Sequence, residues 1–489
     1  MTAPVVHPDL LFIDGEWVAP SSSKTIDVID SNSEELYYKV AEANATDMDR
    51  AITAARNAFD NSPWPFLSPA ERADHLRAFG KELAARSEAL GDIWPRESGV
   101  LAKIATRASL GYAMVFEYYA GLADTFEWET RAQPTMGGKF GLLVREPVGV
   151  VGAIIPWNAP LQLAVYKIAP ALLAGCTVVL KTSPEAPGAG LVLAEAAEAA
   201  GIPAGVFNTL TADRQVSEQL VTDPRIDKIA FTGSTAAGRR IASLCGERIA
   251  RYTLELGGKS AAVILDDADI AAAAATIAGA ECMMTGQVCS SLTRLVVPRN
   301  RHDELVDAIA ASFSQVVVGD PFDKATQMGP LAMERQREKV LGLIEQGKSE
   351  AKLVTGGGKP AHLDKGFYVE PTLFAGVSNS HTIAREEIFG PVLSVIPADS
   401  EDEAVRIAND TIYGLNASVF TADPDRARGV AAKLRSGTVG HNAFRTDFGI
   451  AFGGFKQSGI GREGGVEGLH PYLETKTIIL EDTPTAYAD

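Results

Sequence analysis

A chain of 489 residues, 46% hydrophobic and 22% charged, is long enough for two or three globular cores and has the composition of an ordinary soluble protein, neither disordered nor dominated by membrane segments. Its 62 acidic residues against 45 Lys and Arg leave a formal charge of −17, which repels a phosphate backbone and argues against nucleic acid as a partner. The four cysteines, Cys176, Cys245, Cys282 and Cys289, form no CxxC pair, which argues against a zinc ribbon or a thioredoxin-like site and fits reduced thiols in the cytoplasm.

In chain order, Met1 to Leu11 has no Lys or Arg ahead of an apolar segment, so no secretory signal is expected. The stretch Leu11 to Val18 has two apolar runs hinged on Asp14-Gly15, a dipeptide that tolerates the positive φ of a tight hairpin. Thr46 with Asp49 predicts a weakly capped helix over 51–59. Ser68-Pro69-Ala70-Glu71 combines a capping hydroxyl, a proline at the first helical position and a glutamate three residues on. Leu76, Phe79 and Leu83 then share a face, so a long amphipathic helix starts there. The most apolar stretch, Val148 to Tyr166, is interrupted by Pro156, Asn158, Pro160 and Gln162, and no membrane span is expected.

From Val148 short β-rich runs alternate with Ala-rich helical ones, the pattern of β-α-β units around a mainly parallel sheet. Strands are predicted over 148–155, 177–180, 206–210, 228–231 and 252–256, with helices over 189–200 and 236–245. A second alternating series has strands over 261–265, 295–297 and 392–396 and helices near 270–280 and 304–313. Two α/β domains in series follow from this. Gly356-Gly357-Gly358 reads as a surface turn, not a phosphate loop.

Four segments carry chemistry. Cys289 lies in the small-residue turn Gly286-Gln287-Val288-Cys289-Ser290, where a thiol can meet a ligand. Glu255 ends a predicted strand, at the edge where α/β sheets gather ligands. Asn158 follows the strand-to-turn segment Ile154-Ile155-Pro156-Trp157 and offers an amide that can stabilise an oxyanion. The turn Thr232-Gly233-Ser234-Thr235 opens a helix whose N–H groups would face an anion, although it lacks the GxGxxG spacing.

Taken together, Pro156-Trp157-Asn158, Lys181, Phe231-Thr232-Gly233-Ser234, Glu255-Leu256-Gly257-Gly258, Cys289 and Glu387-Ile388-Phe389-Gly390-Pro391 resemble the aldehyde dehydrogenase superfamily. The resemblance runs from Ile13-Asp14-Gly15-Glu16-Trp17 to Gly453-Gly454-Phe455-Lys456-Gln457-Ser458-Gly459. It implies an α/β fold with a Rossmann-like cofactor domain (1–124 and 147–257), an α/β catalytic domain (258–457) and a small β oligomerisation arm (125–146 and 472–489). A homodimer or homotetramer acting on a small aldehyde follows.

The same resemblance puts Cys289 as nucleophile, Glu255 as general base and Asn158 in the oxyanion hole. Lys181 and Glu387 would meet the cofactor riboses and Ser234 the pyrophosphate. Ile154, Ile155, Pro156, Trp157, Ser183, Gly233, Leu256 and Phe389 would line the cofactor cleft. No metal is implied. Retention of Glu255 favours hydrolysis of the thioester to a free acid over transfer to coenzyme A.

Two departures bear on specificity. Many NAD-preferring relatives carry a glutamate three residues after the lysine, where this chain has Pro184, so NAD is expected with NADP tolerated. Ala159 stands where many relatives have a bulky aromatic. Together with Tyr166, Val288, Ser290 and Phe452 it implies an apolar substrate tunnel for a neutral hydrophobic aldehyde. Tyr166 and Phe452 are equally readable as packing residues. The rival readings are a cysteine hydrolase, which needs a histidine beside the thiol, and a non-catalytic binding protein on the same fold.

Overall fold

In the computed structural model, which describes residues 3–487, the strand Val150–Ile154 lies at the centre of an eight-stranded sheet whose five middle strands are parallel. Thr177–Thr182 and Phe207–Thr211 are added on one side, and Lys228–Thr232 and Arg251–Glu255 on the other. The chain direction across the sheet therefore reverses beside Val150–Ile154, and a crevice opens there at the carboxyl ends of the strands. The predicted hairpin, Leu11–Ile13 with Glu16–Val18, closes one edge antiparallel, with Asp14 and Gly15 both at positive φ. The short strand Gly459–Ile460 closes the other edge against Arg251–Glu255.

Every residue of Val150–Ile154, Thr177–Thr182, Phe207–Thr211 and Lys228–Thr232 is buried, as a parallel sheet covered on both faces requires. One cover is the helix Pro160–Ala174, in which only Gln162 and Tyr166 escape burial. The apolar stretch Val148 to Tyr166 is thus a strand, a turn and the start of a buried helix that is apolar on all sides. The helix Pro69–Ala84 begins as predicted, with Ser68 and Glu71 bonded reciprocally in a capping box. The helix Ala45–Asn61 starts earlier than predicted. Asn44 caps it with Asp47, not Thr46 with Asp49, because an amide side chain accepts from the Thr46 and Asp47 N–H groups.

The second alternating series forms a seven-stranded sheet ordered Lys352–Thr355, Thr372–Ala375, Val392–Ala398, Arg294–Pro298, Ala261–Ile264, Asn416–Phe420 and Thr438–His441. It is parallel except at Lys352–Thr355. Gly356 and Gly357 turn the chain there at positive φ. The turn is half-buried, not on the open surface, and a Cβ on Gly356 would meet the Pro371 carbonyl. A separate antiparallel sheet of Leu473–Leu480, Phe140–Pro147 and Glu129–Ala132 leaves Ile479 exposed. Among the described residues no helix is long and apolar enough to cross a membrane, and no group of His, Cys, Asp and Glu could hold a metal ion.

Candidate active site

The carboxyl ends of four parallel strands supply the walls of one cleft. Past Ile154 the chain turns through Ile155, Pro156 and Trp157. Lys181 lies in Thr177–Thr182, Gly233 and Ser234 follow Lys228–Thr232, and Glu255 ends its own strand. An outer cavity of about 680 Å³ is lined by Ile154, Ile155, Lys181, Ser183, Ala236 and Ala237, with Val221, Ile241 and Leu244 as an apolar patch. An inner cavity of about 200 Å³ is lined by Asn158, Glu255, Leu256, Cys289, Glu387 and Phe389. Both share Pro156, Trp157, Thr232, Gly233 and Ser234, so they are two ends of one space.

The outer end is built for an anion beside an apolar ring. Ser234 caps the helix Thr235–Glu247 by accepting the Ala237 N–H at 3.3 Å. The remaining free N–H groups of that first turn, with the positive end of the helix dipole, face the cleft where Gly233, Ser234, Ala236 and Ala237 make a wall of small side chains. Burial pushes the Lys181 ammonium down to about 8, against the pull of Glu185 and Asp213. Ser183 donates to Glu185, and Glu185 pairs with Arg335, which comes from the helix Glu334–Glu350 of the other α/β unit. The ion pair therefore links the two units at the rim of the cleft. Small walls, a helix start, a buried lysine and an apolar patch together fit a dinucleotide.

At the inner end, the loop before Cys289 is fixed by its own backbone. Thr285 and Gly286 both take positive φ, and a Cβ on Gly286 would strike Gly390. Gln287, 1% exposed, donates through Nε2 to the Ser98 carbonyl at 3.1 Å and accepts the Ala332 N–H at 2.9 Å. Asn158 donates through Nδ2 to the Gln287 carbonyl at 3.0 Å, which holds its amide against the cysteine loop. The Trp94 indole N–H donates to the Asn158 carbonyl at 2.8 Å. A Cβ on Gly258 would lie 2.2 Å from the Cys289 carbonyl oxygen, so the segment after Glu255 and the cysteine loop are in backbone contact.

Burial disfavours charge on both the thiol and the carboxyl at this end. Burial pushes the Cys289 thiol up to about 12, with Glu387 and Glu255 adding to the rise, while the backbone N–H groups of Cys289 and Ser290 oppose it. Burial also raises the Glu255 carboxyl well above its ordinary range. Glu463 adds to that, and Lys167 and Arg462 oppose it. Neither Glu255 oxygen has a hydrogen-bond partner. Behind Glu255 lies a buried ion pair of Lys167 and Glu463 at 2.6 Å, in which Lys167 also donates to Thr232. Sequence reading missed both partners, because a lone lysine inside an apolar helix and a glutamate in the Gly-rich tail carry no spacing signal.

The expected cofactor contacts are placed unevenly. Trp157 and Phe389 meet edge to face at 5.4 Å in the inner cavity, with Phe389 at positive φ. Glu387 lies in the inner cavity and accepts the Gly258 N–H at 3.0 Å. Of the expected tunnel residues, Ala159, Tyr166, Val288, Ser290 and Phe452 line neither cavity. Ser290 is buried, and its carbonyl accepts from Asn416. Tyr166 and Phe452 do come together, but through a third ring. The Phe448 ring lies 4.3 Å from each, stacked on Phe452 and tilted against Tyr166, making a row of three rings whose middle member the sequence did not disclose.

Comparison with known proteins adds to this geometry. The aldehyde dehydrogenase family model matches residues 17–478. A geranial dehydrogenase of Castellaniella defragrans is 45% identical over 96% of this chain and 98% of its own. A chloroplastic betaine aldehyde dehydrogenase of Amaranthus hypochondriacus is 40% identical over 97% of this chain and 96% of its own. The crystal structure of a Mycobacterium tuberculosis aldehyde dehydrogenase complexed with NAD+ superposes with a TM-score of 0.94, at 44% identity over 98% of this chain and 99% of that one. A mutant of aldehyde dehydrogenase C from Pseudomonas syringae, complexed with NAD+ and octanal, gives a TM-score of 0.94 at 40% identity, over 100% of this chain and 99% of that one.

Proposed function

The chain belongs to the aldehyde dehydrogenase family, and on that premise we propose that it oxidises a neutral hydrophobic aldehyde to the carboxylic acid with NAD+, through a thioester on Cys289. The observation that carries the reading is the meeting of Cys289, Asn158 and Glu255 on one small cavity that opens into a dinucleotide-sized cleft. When bound in that cleft, NAD+ supplies the hydride acceptor. Lys181 and the start of the helix at Ser234 would hold its ribose and pyrophosphate.

The chain's own residues do the rest. Cys289 attacks the carbonyl carbon, and because its thiol is neutral at rest, its proton must leave to water or to Glu255 as the C–S bond forms. The free N–H of the Asn158 amide and the Cys289 backbone N–H stabilise the oxyanion. Collapse of that adduct expels hydride and leaves an acyl group on sulfur. Glu255, free of hydrogen-bond partners and raised by burial, then takes a proton from the water that hydrolyses the thioester. Arg335 at the rim, with Pro184 in place of an acidic residue, supports acceptance of NADP as well.

The row of rings Tyr166, Phe448 and Phe452 supports the hydrophobic substrate class, as do relatives described as acting on geranial and crystallised with octanal. The exposed edge of the sheet containing Ile479 supports assembly into a dimer or tetramer through that arm. A cysteine hydrolase is disfavoured because no histidine lines either cavity.

The test is Cys289→Ala. NADH formation and covalent acyl labelling should both vanish, and dehydrogenase turnover surviving in that variant rejects the thioester route. An aldehyde panel in which short acidic semialdehydes outrun octanal and benzaldehyde rejects the substrate class.

A further inference from the structure

The helix Ile270–Cys282 ends beside the nucleophile loop, and Glu281 in its last turn grips that loop twice. Its carbonyl accepts the Gly286 N–H at 2.8 Å, before Cys289, and its carboxylate Oε2 accepts the Ser291 hydroxyl, after Cys289. Ser291 in turn donates its N–H to the Val288 carbonyl at 3.1 Å. The cysteine is thus enclosed in a loop whose two ends are tied to one residue.

Glu281 is 2% exposed, where an ionised carboxylate held by neutral donors, the Ser291 hydroxyl and the Val392 backbone N–H, is costly unless a positive charge offsets it. Lys259 is also 2% exposed, sits in the segment that links Glu255 to the second sheet, and has no hydrogen-bond partner at Nζ. Glu281 Oε1 and Ser260 Oγ have none either. Burial pushes Lys259 down to about 7 and Glu281 up to about 7, and each is the other's attractive charge. Arg294 opposes the Lys259 charge, while Glu387 and Glu386 favour it.

We propose that Glu281 is a positioning residue that holds the Cys289 loop closed through Ser291. The inference rests on Cys289 being the nucleophile. Glu281 does not line the inner cavity, so it acts through the loop, and a small displacement of the sulfur is what its loss would cause.

The experiment compares Glu281→Gln, Glu281→Leu, Ser291→Ala and the Glu281→Leu/Ser291→Ala double variant in the NAD+-bound enzyme. It measures kcat, NAD+ affinity, melting temperature and the rate at which iodoacetamide alkylates Cys289, located by mass spectrometry. Glu281→Leu and Ser291→Ala should each lower kcat and the alkylation rate roughly 10- to 100-fold, the scale of a misplaced reacting atom, with NAD+ affinity kept. Glu281→Gln retains an acceptor for Ser291 and should retain most of the rate. The double variant should be no worse than either single one.

Equal losses in Glu281→Gln and Glu281→Leu, or losses that multiply in the double variant, overturn the proposal in favour of simple packing. Turnover surviving in Cys289→Ala would instead remove the underlying reading, whatever the Glu281 variants do.

Discussion

Lys167 Nζ lies 2.6 Å from Glu463 Oε1, with both side chains buried, and the pair sits behind the one carboxylate at the site that has no hydrogen-bond partner, Glu255. Removing one member of a buried pair leaves an uncompensated charge and costs roughly 3–5 kcal/mol. Lys167→Met should therefore lower the unfolding midpoint in urea by a corresponding amount.

Glu463→Gln should do something further at the site. Glu463 holds the Glu255 carboxyl up, whereas Lys167 pulls it down. Deleting the anion also frees the Lys167 charge, so both effects lower Glu255. Because Glu255 works as a base only when ionised, the acid side of the deacylation profile should move to lower pH. A profile unmoved, or moved upward, contradicts the coupling.

Asn158 and Glu255 should separate kinetically. Asn158→Ala removes an oxyanion donor and should lower kcat/KM by about two to three powers of ten, with NAD+ affinity unchanged by fluorescence titration. Glu255→Gln should keep a first-turnover burst of NADH and lose the steady rate, since only thioester hydrolysis is impaired. A Glu255→Gln enzyme with unaltered steady acid production shows that another base serves.

The Glu185–Arg335 pair should set the cofactor ratio. Glu185→Gln removes an anion from the outer cavity and frees a guanidinium there. NADP efficiency should rise relative to NAD by about tenfold, one lost repulsion of roughly 1.4 kcal/mol. Side-by-side initial rates with the two cofactors check this.

Glu97 predicts a pH slope of stability. It is buried and accepts the Tyr38 hydroxyl at 2.6 Å and the Gly188 N–H at 3.0 Å, yet burial raises its carboxyl to about 8. Between the unfolded value, about 4.3, and 8, the folded state holds a proton that the unfolded state has released. Its contribution is therefore complete at low pH and is lost as pH rises through that window. Glu97→Gln should abolish this part of the slope and be the more stable protein at alkaline pH, by an amount on the order of a few kcal/mol. Urea titrations of both proteins across the window measure it.

What the sequence disclosed follows from how local each signal is. The hairpin at Asp14-Gly15, the Ser68 capping box and the alternating β-α runs are readable because turn chemistry and caps act over a few residues. The helix Pro160–Ala174 was not predicted, since a segment buried on every side has no polar face to give it a period. At the site, the residues next to strand ends were foreseen. Gln287, Lys167, Glu463, Glu281 and Phe448 were not, because their roles come from contacts between segments far apart in the chain.

The backbone contact between Gly258 and the Cys289 carbonyl ties two loops that carry different halves of the chemistry. A side chain at 258, or an inserted residue in either loop, would shift the sulfur and the Glu255 segment together. Divergence toward new aldehydes would thereby fall on surfaces that neither loop touches. This enzyme can change what it accepts far more readily than how it reacts.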